Sequence, residues 1–208
     1  MGTEEGTKER ILREASKLFA RKGYTGTSTR EIAAAVGVRQ PSLFHHFATK
    51  REILETLLAY SVEEAAEKAR RVADGDGPAA ERLYRFVFED TAFLCGSPYD
   101  LSGVHVSEIM QDRDFAYWHG RLEHLHEAIR DMVRQGVRSG EFVEVDPAFA
   151  QEMITAMNIV NIRRYSGRPP DSVEDVARAS ADFALRALLA DGSRLETIAV
   201  RAMDGVTV

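Results

Sequence analysis

The sequence predicts an all-α fold, and three observations carry that expectation. Apolar residues recur at helical spacing along most of the 208 residues. No run of β-branched residues alternates with polar ones for long enough to make a strand. The six prolines, Pro41, Pro78, Pro98, Pro147, Pro169 and Pro170, mostly fall at or near breaks in the helical spacing.

Taken in order, Ile11, Leu12, Ala15, Leu18 and Phe19 form one face of a helix over residues 8–21, and Gly23 stands where it stops. Two short helices follow, Thr29–Val36 and residues 40–47. Ile53, Leu54, Leu57 and Leu58 open a longer one over 50–73, ended by Asp74-Gly75-Asp76-Gly77. Further helices are expected over 78–94, 102–110, 115–139, 147–165 and 172–190. Pro78 and Pro147 suit a first helical turn, where a missing N–H costs nothing, and Asp146 can cap the helix that Pro147 opens. No internal repeat or low-complexity segment is present.

Composition narrows the function. Hydrophobic residues make up 44% and charged residues 29%, ordinary values for a globular chain that can bury a sizeable core. Cys95 is the single cysteine, which excludes an internal disulfide framework and suits a reducing compartment. No apolar run approaches the ~20 residues of a membrane helix, and the acidic start is unlike a signal peptide. A cytoplasmic protein without a membrane partner is expected. The net charge of −6 hides an asymmetry: residues 1–52 hold ten Lys/Arg against six Asp/Glu, a net +4, and the rest carries −10. A basic head on an acidic body presents one end to a polyanion.

The most informative stretch is residues 23–50, GYTGTSTREIAAAVGVRQPSLFHHFATK. Ser28 and Glu31 have the spacing of a capping box at the start of Thr29–Val36. Gly37 breaks that helix, because glycine enters the left-handed region without a Cβ clash. Val38 can fill the corner, and Leu43, Phe44 and Phe47 supply apolar anchors for the next helix. Two short helices on a glycine corner read as a helix-turn-helix. Its second helix offers Arg39, Gln40, Ser42, His45 and His46, and Arg and Gln are residue types that read guanine and adenine edges in the major groove. Pro41 falls in the first turn, where it is tolerated.

Gly23-Tyr24, Thr27-Ser28, Glu31-Ile32-Ala33, Val36-Gly37-Val38, Leu43-Phe44-His45-His46-Phe47 and Lys50 together resemble the DNA-binding domain of TetR-type (TetR/AcrR) transcriptional regulators. The resemblance covers about residues 8–57 strongly and the remainder in pattern only. It implies a DNA-binding domain over 1–52 and a helical effector-binding and dimerisation domain over 53–208, acting as a homodimeric repressor of palindromic double-stranded DNA. It places Arg39, Gln40, Pro41 and Ser42 at base edges and adjoining phosphates, Thr27 and Ser28 at a phosphate, and His45 and Lys50 along the DNA backbone. Two positions depart from the pattern. Phe44 replaces a usual tyrosine and so lacks a phosphate-binding hydroxyl, and Arg39 replaces a small N-cap residue.

For the body, the resemblance implies a small effector, and the aromatic and Met-rich residues there suit a largely apolar one. Candidate pocket residues are Tyr84, Phe88, Phe93, His105, Met110, Trp118 and Leu122, with Met157, Asn158 and Asn161 nearby; the aromatic residues equally suit a plain core. Gly103, Gly120 and Gly136 lie in helical segments, where room for a ligand or a bend offsets their low helix propensity. Met153, Ala156, Met157 and Val160 on one helix, and Ala177, Ala181, Ala184 and Leu188 on the next, form faces suited to a two-fold four-helix interface. His119, Glu123 and His126 share a helix face, but with no cysteine or further fixed ligand no metal is expected there, and no cofactor. No nucleophile–base pair or phosphate loop points to catalysis. An all-α enzyme or carrier, or an activator on the same fold, remains the alternative.

Overall fold

The computed structural model describes residues 6–104, 115–165, 167 and 170–204. The described residues form ten α-helices: α1 (Thr7–Lys22), α2 (Thr29–Val36), α3 (Gln40–His46), α4 (Lys50–Leu58), α5 (Glu64–Ala73), α6 (Ala79–Cys95), α7 (Ala116–Arg138), α8 (Pro147–Tyr165), α9 (Val173–Leu188) and α10 (Leu195–Met203). No strand occurs among them, and the sole β feature is an isolated antiparallel bridge between Phe142 and Leu189.

Helix termini follow the local chemistry. Ala148 N–H donates to Asp146 Oδ1 at 3.0 Å, so Asp146 does cap α8. The first N–H groups of α6 are satisfied from far along the chain: Ala79 and Ala80 donate to the two carboxylate oxygens of Glu141 at 3.2 and 3.0 Å. The expected helix over 50–73 is one continuous rod interrupted by a π-helical segment, Ala59–Glu63, between α4 and α5. The segment expected to be helical over 102–110 begins in a 3-10 turn, Leu101–Gly103, and its remainder, with His105 and Met110, lies outside the described residues. α10 was not foreseen from the sequence; it packs on α6.

Two apolar clusters organise the molecule. The first joins α1–α4 through Ile11, Phe19, Ile32, Leu43, Phe47 and Leu54, and extends into the body through Leu94, Leu101, Phe115, Trp118 and Ile162. Because α4 contributes Ile53, Leu54, Leu57 and Leu58 to it, the packed head reaches beyond residue 52. The second cluster surrounds α6, which packs against α5, α7, α8, α9 and α10.

Two expectations need correction. Ala177, Ala181, Ala184 and Leu188 are buried within their own subunit, where α9 lies along α6, so they are not an open interface face. Their small side chains permit close approach to α6 instead. The glycines do not make room for a ligand either. A Cβ on Gly103 would collide with the α1 backbone at Phe19 and Ala20, and one on Gly136 with the Phe142 ring; Gly120 faces open space.

Candidate functional site

The local sequence builds the head from its capping groups outward. Ser28 Oγ accepts from Glu31 N–H at 3.2 Å, and Glu31 Oε2 accepts from Ser28 N–H at 2.9 Å, completing the capping box of α2. The Lys22 ammonium beside Glu31, together with Ser28, holds the carboxyl down at about 2. Gly37 ends α2 at φ 78° and ψ 28°, a left-handed conformation that glycine adopts without strain. Val38 N–H then closes back on Ala33 O at 3.0 Å. Arg10 ties α1 to the same corner by donating to Val36 O at 2.7 Å.

This corner fixes α3. Leu43 and Phe47 are fully buried beneath it, and Gln40 Nε2 donates to Thr29 Oγ1 at 2.9 Å, bracing α3 against α2. The opposite side of α3 is open: Arg39, Pro41, Ser42, Phe44, His45 and His46 are exposed. Gln40, Pro41, Phe44 and His45 line a shallow depression there, and Phe44 is 44% exposed, an uncovered aromatic. Ser28 and Arg30 are exposed at the neighbouring N-terminus of α2, whose free N–H groups favour an anion. Sequence reasoning had not singled out Arg30; the register of the capping box was the signal that places it in the first turn.

Two residues expected at DNA serve the loop between α1 and α2. Thr27 is buried, with Oγ1 donating to Gly23 O at 2.8 Å, so its hydroxyl is spent inside the protein. Lys50 Nζ donates to Tyr24 O at 2.7 Å and Thr27 O at 2.8 Å, and sits 4.2 Å from the centre of the Tyr24 ring. For Lys50 its position in sequence gave no hint of this, because both of its partners are backbone carbonyls more than twenty residues away.

The body contains a cavity of about 190 Å³ between the π-helical segment, α5, α6, α7 and α8. Its walls are Val62, Ala65, Phe86, Leu94, Leu122, Leu125, Ile129, Ile154, Ile159 and Ile162, with Ser61, Asp90, His126, Thr155 and Asn158 as polar members. Of the residues expected to bind a ligand, Leu122 and Asn158 line it. Tyr84 and Phe88 are buried in the core around α6, Trp118 in the cluster shared with the head, and Phe93 stacks on Tyr60. Met157 faces a separate depression beside Phe149 and Phe183, and Asn161 bonds Ser180 across α8 and α9 at 3.0 Å. Asp90 was missed, although one acid at helical spacing between Phe86 and Leu94 was the available signal.

Inside the cavity, Asp90 Oδ2 accepts from Asn158 Nδ2 at 2.7 Å, and Asn158 Oδ1 accepts from Thr91 Oγ1 at 3.0 Å. Burial pushes the Asp90 carboxyl up to about 6, against the opposing influence of the Lys68 charge. Glu123, considered with His119 and His126 as a metal face, is engaged by Arg130. Among the described residues no group of three His, Cys, Asp or Glu side chains is disposed to hold a metal. No helix among them is long and apolar enough to cross a membrane.

A braced, uncovered recognition helix on a head packed into a cavity-bearing helical body defines a DNA-binding transcriptional regulator. Comparison with known proteins gives the same class. The family of bacterial regulatory proteins described as tetR matches residues 11–57, and the tetracyclin repressor-like C-terminal domain matches residues 76–188. The chain belongs to the TetR family. The HTH-type transcriptional repressor KstR2 of Rhodococcus jostii (strain RHA1) is 26% identical over 190 residues, covering 89% of this chain and 92% of that protein. The crystal structure of Mycobacterium smegmatis AmtR superposes with a TM-score of 0.77 at 28% identity, covering 100% of this chain and 99% of the other. AibR, crystallised with isovaleryl coenzyme A and operator DNA, superposes with a TM-score of 0.65 at 22% identity, covering 86% and 97%.

Proposed function

We propose that the protein is a homodimeric repressor whose two α3 helices enter successive major grooves of a palindromic operator, and which a small, largely apolar effector releases. The observation that carries this reading is the exposed outer side of α3, braced from behind by Leu43, Phe47 and the Gln40–Thr29 bond. On it, Arg39 is a donor for base edges, Gln40 keeps its Oε1 and second amide N–H for one while Nε2 holds Thr29, Ser42 and His45 reach adjoining phosphates, and Pro41 and Phe44 give apolar contact of the kind a thymine methyl accepts. Ser28 and the N-terminus of α2 take a further phosphate. One such helix reads only a few base pairs, so two held about 34 Å apart supply the specificity of a palindrome.

The exposed apolar side chains of Phe149, Met153 and Val160 on α8 and of Phe183 on α9 support dimerisation through these two helices. The cavity supports the effector site, because α5 and the π-helical segment that wall it continue directly into α4 of the head. An effector that prefers one arrangement of that rod shifts the spacing of the two heads, by no more than its differential affinity for the two states. Named relatives add weight: KstR2 is a repressor, and AibR was crystallised with an acyl coenzyme A and its operator. We read the chain as a cytoplasmic regulator without catalytic activity of its own.

An electrophoretic shift with DNA from upstream of the protein's own gene tests the reading. A complex that weakens steeply with added salt is expected, because Lys and Arg contacts release counterions from phosphates. Absence of a complex, or one indifferent to salt, would overturn it.

A further inference from the structure

We propose that the ligand of the body cavity is a compact apolar molecule carrying a hydrogen-bond donor, a hydroxyl or an amino group, that it places against Asp90 Oδ1. This rests on the reading of the cavity as the effector site and goes further by fixing the chemistry of its occupant.

Three observations converge. The cavity is walled by Phe86, Leu125, Ile129 and Ile154, and its volume of about 190 Å³ sets the scale of the buried body. An apolar cavity of about 150 Å³ holds benzene, so one ring with a short substituent fits. Next, Asp90 is only 3% exposed and its two oxygens are treated unequally. Oδ2 is bonded by Asn158, whose own orientation is set by Thr91, whereas Oδ1 is buried without a partner. A buried acceptor of this kind is expensive to leave unpaired, and an ionised carboxylate only accepts. A donor is therefore the group that the site rewards, and an anionic head is the group that it repels. Last, the neighbouring charge is already engaged elsewhere. Lys68 Nζ donates to Glu89 O at 3.3 Å and lies 4.9 Å from the centre of the Phe93 ring, so it offsets the Asp90 charge without occupying Oδ1.

His126 supplies a second contact. It lines the same cavity with Nε2 buried and unpaired, and burial disfavours its charged form. A neutral imidazole adds a polar atom there without adding a second cation.

The pair 1-phenylethanol and acetophenone tests the proposal, since the two have the same skeleton and only the alcohol donates. Titration of each into the full-length protein, followed by methyl chemical shifts of Ile129 and Ile154, yields two dissociation constants and locates binding. The alcohol is expected to bind about tenfold tighter than the ketone. In Asp90→Asn, the amide oxygen can keep the bond from Asn158 and turn its N–H toward the cavity, so the preference should reverse. Equal affinities in the unaltered protein, or a preference for the ketone, overturn the proposal without recourse to the variant. A preference for the alcohol that survives in folded Asp90→Asn overturns the role of Asp90. Binding of neither molecule at the cavity overturns both the donor rule and the effector reading. Fluorescence anisotropy of labelled operator separates the two: selective binding of the alcohol that leaves the DNA complex intact supports the ligand class while removing the cavity from regulation.

Discussion

Asp90 and Lys50 show how single side chains are used against their solution preferences. Burial lifts the Asp90 carboxyl from 3.8 to about 6, so the folded protein holds its proton more tightly than the unfolded chain does. The stability linked to this group is thus fully present below about pH 4 and is lost as pH rises through about 6, amounting to about 3 kcal/mol. Asp90→Asn never ionises and can keep the Asn158 bond. It should be more stable than the unaltered protein by about 2–3 kcal/mol at pH 7, with the advantage shrinking toward zero near pH 4. Urea unfolding at the two pH values checks this, and an equal gap at both would show that the charge is not penalised. Lys50 stands in the opposite situation, as a cation consumed by the backbone carbonyls of Tyr24 and Thr27. Lys50→Met removes both bonds and should lower stability by about 2 kcal/mol while weakening operator binding. The slope of log affinity against log salt should stay unchanged, because a loop support makes no phosphate contact; a slope reduced by about one would place Lys50 on the DNA.

Helices were legible in the sequence where their ends carry chemistry. The Ser28–Glu31 box and Gly37 delimit α2, Asp146 starts α8, and the Asp74–Gly77 run ends α5, each through a bond or conformation that residue type alone specifies. The π-helical segment at Ala59–Glu63 carries no such mark in its residue types. The glycines were ambiguous for the same reason: propensity reports their cost within a helix but not what lies opposite. Gly103 meets the backbone of α1, so Gly103→Ala must push the Leu101–Gly103 turn away from the head. It should destabilise the protein by about 1–3 kcal/mol, as overpacking does. Gly120 lies exposed in α7 with open space around it, and Gly120→Ala should stabilise by about 0.5–1 kcal/mol through helix propensity alone. Thermal unfolding of the two variants checks the contrast, and shifts of the same sign would refute it.

The charge asymmetry of the chain announces a polyanion at one end, but nothing in spacing alone tells an interface face from an intrasubunit one. Both α8 and α9 carry small and apolar residues at helical intervals, and only the fold shows that the Ala177–Leu188 face is consumed by α6 while Phe149, Met153, Val160 and Phe183 face outward. The cavity was obscured in the same way, since its walls come from four helices whose relative rotation depends on the whole body. The outward face makes assembly separable from folding. Phe183 is 68% exposed in the subunit, so Phe183→Glu should leave helicity and thermal unfolding of the monomer nearly intact. In a dimer whose two-fold axis runs through α8 and α9, each added carboxylate enters a desolvated apolar patch twice over, and sedimentation should find monomers at micromolar concentration. A monomer carries one head, so its operator complex should lose most of its affinity and about half of its salt dependence, the number of phosphates contacted having halved. If Phe183→Glu sediments as a dimer, the two-fold axis lies on another face; if it is monomeric yet retains full affinity and the full salt slope, a single head carries the recognition and the palindrome is not what is read.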